Sequence, residues 1–353
     1  MARLPYARDV SERPFDVVIV GGGVAGLVAA TACRLRNMSV AVIDPGDDSG
    51  ASWAAAGMLS PSGEVSFTEP DVGNMMKDSF LRWSSDETWS RWFIAAPTIY
   101  AGWTSGDWAE QQRFVETLRD AGYECRNLDH DQTSRMAPGI SHRLGGAVAV
   151  AEEGVVDTHR MLTDLRSDLS REGVAFVPAR VISVSHDDER HTAHCHDGST
   201  VNARLLIETV GVSDLSSRQS PAIRPQRGVT LHLVEKEHHP AVMLRCLVES
   251  RPTYLLRRGD GNVVIGATAD ESGEQFVDAY SVDHLLHDAL TLVPSLREAE
   301  FVGARSGLRP VSPDLRPFAL GNEGTLRING LFRHGYLLSP WILEQTLLFL
   351  DAS

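Results

Sequence analysis

Phe15-Asp16-Val17-Val18-Ile19-Val20-Gly21-Gly22-Gly23-Val24-Ala25-Gly26 opens the segment around which the rest of the chain is organised. Its first six residues are a short apolar run rich in β-branched side chains, the composition of a buried parallel strand. Three glycines permit a tight turn, and Leu27-Val28-Ala29-Ala30-Thr31-Ala32 continues in small, helix-permissive residues. A second β-branched run, Val40-Ala41-Val42-Ile43, ends in Asp44. Strand, glycine turn, helix, strand and terminal acid follow in the order of a βαβ unit.

Each position has a physical role in such a unit. Gly21 lets the chain turn sharply, and Gly23 lets the backbone approach a pyrophosphate without a Cβ in the way. Gly26 and Ala30 let the helix lie close to the sheet. The helix N-terminus offers unpaired N–H groups and the positive end of its dipole to phosphate. Asp44, 18 residues beyond Gly26, stands where a carboxylate accepts hydrogen bonds from a ribose diol. The segment therefore reads as dinucleotide-binding, against a structural βαβ turn with no ligand. Alone it does not separate nicotinamide from flavin.

With 353 residues the chain exceeds the size at which a single core stops growing, so two sub-domains are expected. The apolar content of 42% and mean hydropathy of −0.14 fit a soluble globular protein. A formal charge of −14 argues against nucleic acid or an anionic membrane as partner. It leaves room for a small anionic substrate, because a local arginine pair can dominate a site. Met1 to Pro14 lacks the apolar centre of a signal peptide, and no apolar run is long enough to span a membrane. Cys33, Cys125, Cys195 and Cys246 follow no disulfide or C-x-x-C spacing and read as reduced thiols of a cytoplasmic protein.

Beyond Asp44, Pro45 to Gly50 is a loop by turn chemistry. It leads into Ala51-Ser52-Trp53-Ala54-Ala55-Ala56-Gly57-Met58-Leu59, whose small side chains suit a backbone lying against a large flat ligand. Glu64 to Trp108 is expected to be mostly helical, with Trp83, Trp89, Trp92, Phe93 and Trp103 as packing residues. Gln111 to Gly122 reads as an amphipathic helix with a glycine stop. A strand is predicted at 145–150, and Asp157-Thr158-His159 caps a helix running to about Arg171. Strands follow over 174–184 and 191–207, turning at Asp197-Gly198. His191, His194, Cys195 and His196 match no zinc spacing and read as a solvated hairpin, so no metal site is expected. Glu208-Thr209-Val210-Gly211 closes this strand. Several strands lie between Arg224 and Ala269, and a helix over Val282 to Leu292.

Five signatures together resemble the glycine oxidase branch of the D-amino-acid-oxidase (DAO) family of FAD enzymes. They are the opening fingerprint, Ala54-Ala55-Ala56-Gly57-Met58-Leu59, Tyr254 with the hairpin from Arg257 to Thr268, Gly307-Leu308-Arg309-Pro310, and Phe332-Arg333-His334-Gly335. The resemblance covers nearly the whole chain. It implies an α/β fold with an α+β substrate part: a Rossmann-like FAD-binding domain (12–88, 144–222 and 302–353) with an inserted antiparallel-sheet substrate domain (89–143 and 223–301).

It also implies site roles. Val24 and Ala25 would meet the pyrophosphate, Asp44 the ribose, and Val181 the adenine by its backbone. Ser52, Ala56, Gly57 and Met58 would lie along the flavin, Gly211 would belong to the same cofactor set, and Leu331 to Leu337, with Phe332, Arg333, His334, Gly335, Tyr336 and Leu337, would run past the isoalloxazine. Arg309 would hold the substrate carboxylate with the Tyr254 hydroxyl, and Arg333 would lie beside the reacting amine. Met58 and Ala269 complete the expected substrate pocket. The chemistry agrees: a guanidinium grips a carboxylate with two parallel hydrogen bonds and so fixes its orientation. Hydride transfer from a neutral amine to flavin N5 requires no acid–base dyad. Dioxygen would reoxidise the flavin to give hydrogen peroxide. Some relatives attach flavin through a C-terminal cysteine; the last one here is Cys246, so FAD is expected to be non-covalent.

The chain departs from its relatives at Thr209-Val210-Gly211, where Ala-Thr-Gly is usual, and at Trp341-Ile342-Leu343 after Pro340. Pro252 and Ala269 stand where glycine oxidases often carry larger or polar residues. A small Ala269 would open the pocket to an N-substituted glycine, an N-carboxymethyl amino acid, cleaved to glyoxylate and an amine. The alternatives are a D-amino-acid or thiamine-pathway glycine oxidase, an NAD-dependent dehydrogenase, and a non-catalytic flavoprotein scaffold. A small amino-acid substrate and dioxygen are the expected partners, and a homo-oligomer is allowed.

Overall fold

The computed structural model describes residues 14–65, 69–187, 190–213, 215, 221–271 and 273–353. The polar N-terminal stretch read above lies, Pro14 aside, outside them. The chain divides into two compact units, one of 1–53, 159–225 and 309–353, the other of 54–158 and 226–308.

The first unit is built outward from Phe15–Val20. This strand is paired in parallel on one side with Val40–Ile43 and on the other with Thr200–Glu208. Ala175–Val177 extends the sheet beyond Val40–Ile43, and Thr325–Asn329 extends it beyond Thr200–Glu208, both in parallel. Val17 to Ile19 and Val40 to Ile43 are essentially inaccessible to solvent, as the unbroken apolar runs require of strands covered on both faces. The helix Val24–Leu35 follows the glycine turn, and the final helix, Ser339–Ala352, packs against it. Arg36 clamps the far end with two hydrogen bonds of 2.7 Å to Asp351.

The hairpin of Val181–His186 and His191–Cys195 pairs antiparallel with itself and with Thr200–Glu208. It is the solvated hairpin expected from its histidines on one face only. His191, Ala193 and Cys195 alternate into the core at 3% exposure or less, because a period of two turns every second side chain to the same face. His191 stacks on His186, and Ser185 Oγ lies 2.8 Å from His194 Nε2.

The second unit carries an eight-stranded sheet. In spatial order its strands are Glu300–Val311, Arg224–Val234, Asn262–Gly266, Arg251–Arg257, Val242–Val248, Thr98–Gly102, Gly146–Val150 and Cys125–Leu128. One face packs Leu244, Cys246, Val248, Leu255 and Ile265 against Leu285, Ala289 and Leu292 of the helix Ala279–Leu292. On the other face Met243, Leu256 and Val264 meet Ala56, Ala96 and Val155, with Met58 and Tyr254 partly buried among them. A small sheet of Met58–Leu59, Gly154–Val156 and Phe93–Ala95 completes the unit. Residues 54–88 and 144–158, expected with the FAD-binding part, group here. Met58–Leu59 pairs with Gly154–Val156, and Gly146–Val150 pairs with Thr98–Gly102.

The expected helical run over 64–108 is only half realised. Helices Pro70–Ser85 and Glu87–Ser90 form, but Phe93–Ala95 and Thr98–Gly102 are strands. Thr98-Ile99-Tyr100 lies between two strands with every residue buried, a setting in which β-branched and aromatic side chains outweigh the neighbouring helical pattern. Trp83, Trp89 and Trp92 are buried packing residues, at 0%, 2% and 4% exposure. The helix read from Gln111 begins earlier, at Ser105, where Thr104 and Asp107 form a reciprocal capping box. Among the described residues no helix is long and apolar enough to cross a membrane.

Candidate functional site

The glycine turn is assembled from segments far apart in sequence. Gly21 has φ of +103°, and a Cβ there would lie 2.5 Å from the Thr209 carbonyl oxygen. A Cβ on Gly26 would lie 1.8 Å from the Gly21 oxygen, so the helix can approach the turn only without one. Thr209, in the altered strand end, turns its hydroxyl onto the carbonyl oxygens of Val20 and Gly21 at 3.1 and 3.0 Å. This substitution thus braces the turn.

Asp44 is brought back onto the same turn. Its Oδ2 accepts from Gly22 N at 2.7 Å, and its Oδ1 accepts from Gly46 N at 2.9 Å and from Arg166 Nη2 at 3.1 Å. A carboxylate has about four acceptor positions, which leaves room for a ribose hydroxyl. Arg166 also donates to the Gly22 carbonyl at 3.3 Å, and its buried Nε has no hydrogen-bond partner. Arg166 was not legible in the sequence: it lies on the helix Thr158–Arg171, 122 residues from Asp44, and no local pattern links them.

Ser52 and the C-terminal segment close the turn from the other side. Val24 N donates to Ser52 Oγ at 3.0 Å, and Tyr336 Oη donates to the Ser52 carbonyl at 2.8 Å. A Cβ on Gly335 would touch Val24 Cγ1 at 3.4 Å. Phe332, with φ of +47°, donates its N–H to the Pro310 carbonyl at 2.9 Å. The strand end that carries Arg309 is thereby tied to the segment 331–337, in which Leu331, His334, Tyr336 and Leu337 are buried. The first unit therefore brings together Gly21, Gly23, Val24, Ala25, Gly26, Asp44, Ser52, Arg309 and the 331–337 segment. Val181 and Gly211 belong to the same unit, Val181 packed on its core.

These residues fit FAD. The helix Val24–Leu35 has no side-chain cap at Gly23 and no acid in its first turn. Its leading N–H groups, beyond Val24, lack intrahelical partners and can receive a phosphate. Gly22 and Gly23 leave only 2.8 and 2.9 Å to the nearest side-chain atoms for an added Cβ, so this stretch depends on bare backbone.

Ala56, Gly57, Met58, Tyr254 and Ala269 belong to the second unit. The small-residue stretch is pinned there by Thr230 Oγ1 on the Ala54 carbonyl at 3.2 Å and Arg258 Nη2 on the Ala56 carbonyl at 2.8 Å. Gly57 has φ of +87°, and a Cβ would lie 2.1 Å from the Val156 oxygen. Tyr254 stands opposite Gly266 in the sheet, and its ring lies over that glycine, whose added Cβ would meet Tyr254 Oη at 2.4 Å. Ala269 is exposed.

A polar cluster in this unit escaped the sequence reading. Glu153, 1% exposed, accepts from Ser60 Oγ, Ser62 N, Ser62 Oγ and Thr98 Oγ1. Burial nevertheless lifts its carboxyl above the usual range. Ser62 also bonds the Tyr100 hydroxyl, and Arg245 faces Glu64 at 3.5 Å. Among the described residues no three His, Cys, Asp or Glu side chains are grouped to hold a metal ion. Cys246 is buried in the opposite face of the sheet, where burial pushes its thiol up to about 12.

Comparison with known proteins gives this arrangement its context. The chain is 27% identical over 344 residues to the glycine oxidase of Geobacillus kaustophilus, covering 92% of this chain and 90% of the relative. The crystal structure of glycine oxidase from Geobacillus kaustophilus aligns with a TM-score of 0.85 at 24% identity, over 97% of this chain and 96% of that one. That of iminodiacetate oxidase from Chelativorans sp. BNC1 aligns with a TM-score of 0.82 at 22% identity, over 96% and 95%. The profile of the DAO family, described as FAD dependent oxidoreductase, matches residues 16–344. The protein belongs to the DAO family of FAD-dependent oxidoreductases, and FAD is its cofactor.

Proposed function

We propose that this enzyme oxidises the glycine moiety of an N-substituted glycine, an N-carboxymethyl amino acid. In balance, R–NH–CH2–COO⁻ with O2 and H2O gives R–NH2, glyoxylate and H2O2. The observation that carries the amino-acid oxidase reading is the tie between Pro310 and Phe332. It fixes the arginine-bearing strand to the segment packed on the glycine turn. FAD, when bound, supplies the two-electron acceptor.

The chain's own residues bind and orient. Arg309 takes the glycine carboxylate in a bidentate grip, which sets its direction as well as its affinity. Tyr254 adds a hydrogen bond through a rigid phenol, and Arg333 lies beside the reacting amine. The small, exposed Ala269 supports a substituent on nitrogen, and so does the likeness in fold to a protein described as an iminodiacetate oxidase. FAD is held without a covalent link, and the enzyme works in the cytoplasm, where its four free thiols stay reduced.

The test is a peroxide assay of the yellow holoprotein with glycine, sarcosine, N-ethylglycine and N-carboxymethyl amino acids. A higher kcat/KM for substituted forms is expected. Preference for free glycine over every substituted form would overturn the substrate assignment.

A further inference from the structure

The sheet of the second unit places a second guanidinium in line with Tyr254. Arg245 is paired directly opposite Tyr254 on one side and Tyr100 on the other, and opposed residues of adjacent strands point to the same face. That face also carries Met243, which packs with Ala56, Met58 and Tyr254. Residues 244 and 246 point the other way, into the core under the helix Ala279–Leu292.

Arg245 is held differently from the neighbouring arginines of the sheet. Arg257 grips Glu235 through two hydrogen bonds of 2.8 and 2.6 Å, and Arg251 grips Asp288 through two of 3.1 and 2.7 Å. Arg245 reaches its acid, Glu64, at 3.5 Å through one nitrogen, while its buried Nε has no hydrogen-bond partner. The guanidinium is nonetheless fixed in place. The turn Pro61–Glu64 lies over it so closely that a Cβ on Gly63 would meet Cζ at 2.1 Å and both terminal nitrogens at 2.4 Å. Arg245 keeps 18% of its side chain accessible and Glu64 only 5%, so the guanidinium is the more exposed partner of the pair. Glu153, which bonds Ser62 and has its own hydroxyl donors, also attracts the Arg245 charge.

We propose that Arg245 is a specificity residue that receives the second carboxylate of a dicarboxylic amine, the one on the substituent that stays with the amine product. This rests on the substrate class proposed above and narrows it: the N-substituent carries an acid. Neighbouring strands lie about 4.8 Å apart, comparable to the reach between two carboxylate carbons separated by the four bonds of C–C–N–C–C. A guanidinium that its own acid engages through only one nitrogen is suited to such an acid, and an ammonium would meet repulsion there.

The test uses the holoenzyme and two ligands that cannot be oxidised, diglycolate and methoxyacetate, with Kd read by calorimetry and by perturbation of the flavin spectrum. The wild type is expected to bind diglycolate about 10- to 100-fold more tightly, the range of a charge-assisted bidentate contact. In Arg245→Met that ratio is expected to fall to near one; Arg245→Lys, with a point charge and no fork, retains part of it. A wild-type ratio near one overturns the proposal, as does a ratio that survives Arg245→Met. If Arg245→Met does not fold, Glu64→Gln decides. Removing the competing acid should widen the ratio, and an unchanged or smaller ratio refutes the assignment. Because neither ligand turns over, these outcomes are independent of the peroxide assay. Oxidation of N-ethylglycine with no diglycolate preference would sink this inference alone, whereas a preference for free glycine in the peroxide assay would overturn the parent reading and this narrowing with it.

Discussion

Gly26→Ala puts the cofactor cradle under a direct load. The added methyl would lie 1.8 Å from the Gly21 carbonyl oxygen and 2.8 Å from Thr209 Oγ1. Neither obstacle yields easily: Gly21 sits in the turn with its N–H bonded to the Ile43 carbonyl, and the Thr209 hydroxyl is held by two carbonyl oxygens. Cβ contacts under 3.0 Å are essentially never seen, so helix and turn must separate by at least about 1.2 Å. The first-turn N–H groups move with the helix, and hydrogen bonds weaken steeply with distance and angle. One bond to a charged group contributes about 1.5–3 kcal/mol. Degrading two of them, with partial relaxation, should cost about 3 kcal/mol, roughly 150-fold in the Kd for FAD. Titration of apoprotein with FAD, followed by quenching of flavin fluorescence, measures this, with circular dichroism to establish that the variant is folded. A folded Gly26→Ala protein that binds FAD within threefold of wild type would refute the close-approach argument.

Three further outcomes follow from the same geometry. Arg257→Met leaves Glu235 buried without its fork and should lower unfolding free energy by about 3–5 kcal/mol in urea titration, whereas Arg257→Met combined with Glu235→Leu should recover most of that loss. Glu153 has a folded pKa raised above its ordinary 4.5 by burial. The native state therefore holds this proton more tightly, and its contribution to stability is present below pH ~4.5 and declines as pH rises through the folded value. Glu153→Gln should thus gain stability relative to wild type between pH 5 and pH 8, while Glu153→Ala, which strands four donors, should lose about 1–3 kcal/mol or more. A Glu153→Gln difference that is flat with pH would contradict the ionisation argument. Arg309→Lys keeps the charge but loses the fork, and kcat/KM for carboxylate substrates in the peroxide assay should fall on the order of 100-fold; a change below threefold would remove Arg309 from the carboxylate role.

The sequence by itself determined the βαβ unit, because its signals are local: β-branched runs set the strands, and glycine at 21 and 26 sets the turn and the close approach within a few residues. The order of five short signatures likewise carried the family. Where the local pattern was mixed, it misled. Thr98 to Gly102 is a strand because it pairs with Val242–Val248 and Gly146–Val150, partners about 145 and 50 residues away that no local window contains. His191 turned out buried for a similar reason, its face being chosen by register with Thr200–Glu208. Only the tertiary structure decided how the cradle is braced, with Thr209, Ser52 and Arg166 converging on Gly21 to Val24 from three separate segments and Tyr336 holding Ser52 from a fourth. It alone set Arg245 beside Tyr254 and left it a single-nitrogen contact with Glu64. Side-chain hydrogen bonds and charge pairs between distant segments depend on which strands lie next to each other, and strand neighbours are fixed by the burial of the whole chain, not by any stretch within it.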